Sequence, residues 1–144
     1  MSANLPALQG TDLSGNAVAF PQDLPAVPTV LIFGFQHDSR QDVNAWKRAL
    51  DGAGVPWISL PTPPENVPPQ AVAGAAAAMK AHAPEGSWSR TVLINVGGPE
   101  LLSTFGWTAD LTAKVLLVSD DGTVLYTHGG PFTDEAAAAL LEAI

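Results

Sequence analysis

Apolar and polar positions alternate along this chain in two rhythms, and the points where one gives way to the other mark its elements. Residues 29–35 (TVLIFGF) form a nearly continuous apolar, β-branched run, the pattern of a central strand buried on both faces. At residue 36 the text turns polar, and from 39 to 50 (SRQDVNAWKRAL) the apolar residues Val43, Trp46 and Leu50 recur at helical spacing. Asp38 and Ser39 both suit an N-cap, with Gln41 and Asp42 three residues beyond them in capping-box register. Gly52 and Gly54 mark the stop.

The remaining elements follow the same logic. Residues 5–20 (LPALQGTDLSGNAVAF) hold the turn cluster Asp12, Ser14, Gly15 and Asn16 between two short apolar segments, a hairpin pattern. Residues 55–60 (VPWISL) read as a strand, and the proline-rich 61–69 that follows reads as an extended surface loop. Residues 70–83 predict an alanine-dominated helix packed closely by its backbone, with Val72 and Met79 its sparse large residues. A strand over 90–96 and a short helix over 99–105 come next. Strands over 114–119 and 123–128 are joined by Asp120-Asp121-Gly122, a hairpin signal. A helix from about residue 134, capped by Thr133, closes the chain. This order predicts an α/β fold, a mixed central sheet with helices on both faces.

Composition narrows the chemistry more than it names it. The chain has 144 residues, enough for one domain with a real core. It carries no cysteine, so disulfides, thiolate catalysis and thiolate metal sites are excluded. A net charge of −8 argues against nucleic acid and anionic membranes as partners. Three of the six basic residues, Arg40, Lys47 and Arg48, share the 39–50 helix. They are expected to form a solvated face balanced by Asp42 and Asp51. No run approaches the ~20 apolar residues of a membrane span, and the first residues lack a signal-peptide pattern. The expectation is a cytoplasmic protein.

Several pieces resemble the thioredoxin fold in its peroxiredoxin and TlpA-like (redoxin, AhpC/TSA) branch. LPALQGTDLSGNAVAF is similar to that family's N-terminal hairpin, and VLIFGF to the strand that leads into its redox loop. PELLSTFGW is similar to the helix before its cis-proline loop, and VLLVSDDGTVLYTHGG to its late hairpin. The loop FGFQH also resembles that of the SCO copper chaperones. The resemblance implies one thioredoxin-like domain over 1–144, with a hairpin at about 5–20 and a core at about 29–144. Matching GFQHDSRQD by position places Asp38 where the family has its first cysteine and Gln41 at the second. On the SCO match Asp38 and Asp42 replace both. The cis-proline position falls at Ala113, where a trans bond is expected.

On this reading the chain has lost dithiol chemistry and works by binding a protein or peptide, with a homodimer also open. The binding residues would be Gln36, His37, Asp38, Ser39, Arg40, Asp42, Thr112 and Ala113. The alternative is a non-redox enzyme with His37 and Asp38 as acid/base groups. No cofactor is expected. Were a metal bound, His37, Asp38, Asp42 and His128 would be its ligands, in a spacing that matches no known motif. Trp46 and Trp57 read as core, while Trp88 and Trp107 stand in loops, either exposed or packed beneath them.

Overall fold

The structure is a computed structural model that describes residues 4–24, 27–36, 39–63, 65–81, 85–110 and 112–144. The apolar run predicted as a central strand is β3 (Thr29–Gly34). It pairs in parallel with β4 (Trp57–Pro61) and antiparallel with β6 (Lys114–Val118), which in turn pairs antiparallel with β7 (Val124–His128). A second sheet has the order β2-β1-β5, made by β1 (Leu8–Asp12), β2 (Ala17–Phe20) and β5 (Val92–Val96). A parallel bridge between Ser59 and Thr91 joins the two sheets side by side. The result is the expected mixed sheet with an N-terminal hairpin.

Alternation along the central strands explains why their sequence is apolar throughout. Leu31 and Phe33 join Leu116 and Val118 in one cluster, together with Phe20 and Leu101 of α3 (Gly98–Phe105). Val30 and Ile32 point to the other face and pack with Val115, Leu117 and the helices α1 (Arg40–Ala53) and α4 (Asp134–Glu142). Successive side chains of a strand leave opposite faces, so a strand covered on both sides must be apolar at every position. The stripe Val43, Trp46 and Leu50 is the buried face of α1, and Gly54 ends that helix in the left-handed conformation with φ 70°. Thr133 caps α4, its hydroxyl accepting the Ala136 N–H.

Two local expectations are corrected. Ser39 occupies the N-cap position of α1 but is helical in its own dihedrals and caps nothing with its side chain. The capping box with Asp42 is not made, because both side chains are used elsewhere. The alanine-rich helix α2 (Pro69–Lys80) lies close against β1 and β5, as expected, but along one narrow stripe. Val72 is buried against Leu13 and Leu93, with Ala76 and Met79 partly buried beside it, while Ala71, Ala73, Ala75, Ala77 and Ala78 face solvent. A methyl group buries too little area to draw a whole helix inward. Finally, residues 85–90 are a 3₁₀ helix rather than loop and strand, and its Trp88 packs half-buried beside Leu93.

Candidate functional site

At the C-terminal end of β3, two segments more than 70 residues apart in sequence are bonded together. Gln36 Nε2 donates to the Ala109 carbonyl at 2.9 Å, and Ser39 Oγ donates to the Asp110 carbonyl at 3.3 Å. Asp42, in the first turn of α1, accepts the Ala113 N–H at 2.7 Å on one oxygen and the Phe132 N–H at 2.9 Å on the other. One carboxylate therefore ties α1 to the start of β6 and to the approach of α4. Both of its oxygens accept peptide donors, so Asp42 is a fastener rather than a poised base.

A second fastener lies beside it. Lys114 opens β6 with no exposed surface at all, and its ammonium donates to Asp110 Oδ1 at 2.6 Å and to the Thr112 hydroxyl. The Thr112 N–H and hydroxyl both donate to the same Asp110 oxygen. These bonds, from Lys114 first and then Thr112, lower the Asp110 pKa to about 2. A lysine is rarely buried unless paired. Here the pairing shapes the turn that carries Thr112 and Ala113. The peptide bond before Ala113 is trans, as expected, since the cis bond found among the described residues is Phe20–Pro21.

Aromatic rings support this end of the sheet. Trp107 stacks on Phe105 at 4.8 Å between centroids and tilts against Phe33 at 5.9 Å and Phe35 at 6.4 Å. Trp107 thus packs beneath its loop, half-exposed, and is not a free indole. Trp46 and Trp57 are core, as expected.

Of the residues singled out from sequence, Gln36, Ser39, Asp42, Thr112 and Ala113 are brought to this junction, with Arg40 exposed on the first turn of α1 beside them. His37 and Asp38 lie outside the described residues. His128 donates from Nε2 to the Pro131 carbonyl at 2.9 Å and its ring lies 5.8 Å from Trp46. No group of three His, Asp or Glu able to hold a metal occurs among the described residues. Sequence reasoning missed Lys114 and Asp110. A lysine heading the apolar run KVLLV, with an aspartate four residues before it, was the available signal.

No protein-family model matches the chain, and no curated protein sequence matches it either. Solved structures do. BsSco, a member of the Sco family of cytochrome c oxidase assembly proteins, superimposes with a TM-score of 0.63 at 14% identity, over 99% of this chain and 94% of its own. A thiol peroxidase from Chromobacterium violaceum gives 0.61 at 16% identity, covering 97% and 84%. A thio-disulfide isomerase from Thermus thermophilus gives 0.61 at 19% identity, covering 99% and 95%. At these identities the likeness defines the fold: the chain is thioredoxin-like. It has the architecture of thiol-disulfide enzymes and peroxidases, and it contains no cysteine.

Proposed function

We propose that this chain is a thioredoxin-like binding module without dithiol chemistry, acting in the cytoplasm on a protein or peptide partner. Its contact surface is the solvent-facing part of the junction, with Gln36, Arg40, Gln41 and Thr112, while Ser39 and Ala113 are buried behind it and support it rather than touch a partner. The observation that carries this reading is the double use of Asp42. Asp42, which takes the second cysteine's place on the SCO match, holds two backbone N–H groups, which favours a stiff recognition surface over proton transfer. Rigid loops lose less entropy on binding, which raises affinity without new contacts. The Sco-family likeness supports a protein as the partner class, since that relative is described as an assembly protein.

A photo-reactive residue placed at Gln36 or at Gln41, both exposed, tests the proposal in cells. A discrete cross-linked species is expected from these positions and not from Ala73 on the exposed face of α2. Equal labelling from all three, or none, defeats the reading. A product of twice the chain mass identifies the homodimer. Insulin-reduction and peroxide-consumption assays should read blank, and clear turnover would defeat the non-redox part.

A further inference from the structure

The outer face of α1 carries a concentrated positive patch that the sequence alone misrepresents. Arg40, Lys47 and Arg48 were expected to be balanced by Asp42 and Asp51. Asp42 instead turns inward to Ala113 and Phe132. Asp51 accepts the Trp57 indole N–H at 2.8 Å and pairs with Arg90 at 3.6 Å, so it is committed to the neighbouring 3₁₀ helix. Arg90 also brings a further cation. Its guanidinium lies 3.8 Å from the Trp57 ring centroid, and the Lys47 ammonium lies 5.0 Å from the same centroid.

Burial first, and then the nearby Arg90, lower the Lys47 pKa, with Asp51 opposing them. Among the described residues, Arg40, Lys47 and Arg48 have no carboxylate within ion-pair distance. Four of the six basic residues of the chain thus gather on one strip, with Asp51 the paired acidic residue among the described ones. That is a local charge of +3 on a protein of −8.

We infer that this strip, from Arg40 along α1 to Arg90, is a docking surface for a short acidic peptide segment of a protein partner. Charge complementarity names the class. Clustered cations that outnumber their counter-ions gain most from carboxylates brought to them, and such pairing also guides encounter. A nucleic acid fits less well. Its charge extends far beyond the strip, where it meets the acidic remainder of the molecule. Trp57 is nearly buried and its ring is engaged by the two cations, so it offers no open face for a base to stack on. The strip shares Arg40 with the junction, and its own part, Lys47, Arg48 and Arg90, lies outside it, so its test can fail or succeed apart from the junction's.

The test uses the full chain and a fluorescent twelve-residue peptide rich in Asp and Glu, followed by anisotropy. Saturable binding is expected at about 20 mM salt, weakened severalfold at about 200 mM, where the screening length falls below about 10 Å. Arg48 is exposed and makes none of the contacts around Trp57, so R48E is expected to fold normally and to weaken binding severalfold. The pair K47E/R48E should weaken it about tenfold or more.

Equal binding of a peptide with Asn and Gln in place of the acids overturns the inference. So does R48E that is folded by circular dichroism and binds like the wild type. Tighter binding of a single-stranded oligonucleotide of equal charge also overturns it. A concentration-dependent dimer that R48E abolishes would assign the strip to a second copy instead.

Discussion

The Asp42 carboxylate accepts the Ala113 backbone N–H at 2.7 Å across 71 residues of sequence. With its other oxygen on Phe132 N–H, it joins α1 to the start of β6 and to the approach of α4. Hydrogen bonds to a charged acceptor contribute about 1.5–3 kcal/mol each, and stranding the donors adds to the loss. Asp42→Ala is therefore expected to destabilise by about 3 kcal/mol or more. Asp42→Asn, which keeps one acceptor oxygen, should lose about half as much. Urea denaturation of both variants checks this. Equal midpoints for wild type and Asp42→Ala would rule the fastener out.

Lys114 and Asp110 give an asymmetric prediction. Removing Asp110 leaves a buried ammonium with Thr112 alone, whereas replacing Lys114 by Met removes the buried charge and keeps the volume. Breaking a buried pair costs several kcal/mol, while an apolar replacement is often neutral or stabilising. Asp110 is about half exposed, and solvent screening reduces the figure. Asp110→Ala should then cost about 2 kcal/mol, and Lys114→Met less than about 1 kcal/mol. Thermal unfolding of the two variants decides between this order and its reverse.

The same pair sets a pH dependence. Bonds from Lys114 and Thr112 hold Asp110 at about 2, below its ordinary value of 3.8. Asp121, bonded by Ser119 and Thr123, is likewise lowered to about 2. A carboxyl whose pKa is lower when folded stabilises the fold above its unfolded value, and that stability is lost as pH falls through the folded one. Stability should therefore decline between about pH 4 and pH 2. Asp110→Asn should flatten the decline in this window. A variant profile parallel to that of the wild type throughout would contradict it.

Gly98 tests the packing of the proline-rich loop. A Cβ at this position would stand 2.2 Å from the Pro63 carbonyl oxygen, a backbone atom that cannot swing aside. Gly98→Ala should cost about 1–3 kcal/mol through overpacking. Gly52, at the exposed end of α1, has no atom within 4 Å of such a Cβ, so Gly52→Ala serves as the neutral or stabilising control. Comparable losses in both would count against loop packing as the cause.

Much of the architecture was legible because it rests on local periodicity. The run at 29–35, the stripe Val43, Trp46 and Leu50, the Asp-Asp-Gly turn and the Thr133 cap each carry their signal within a few residues. Where reading failed, a local preference lost to a distant partner. Ser39 had the chemistry of a cap, yet its hydroxyl goes to Asp110, and Asp42 had the register of a capping box, yet it is drawn to Ala113. At the site, the Ala113 N–H meets Asp42, and the buried cation beside it, Lys114, went unread because its partner Asp110 and its burial are set by the tertiary fold.

The amino-acid sequence by itself determined the order and type of the elements, the mixed sheet and the loss of thiol chemistry. Hydrophobic period, turn residues and the absence of cysteine are properties of neighbours in the chain or of composition. Tertiary structure alone decided which way each charge faces. Asp42 turns inward while Lys47 and Arg48 remain outside, and Asp110 meets Lys114. The energy of a charge depends on its surroundings in space, above all on whether partners far along the chain can replace the water that burial removes.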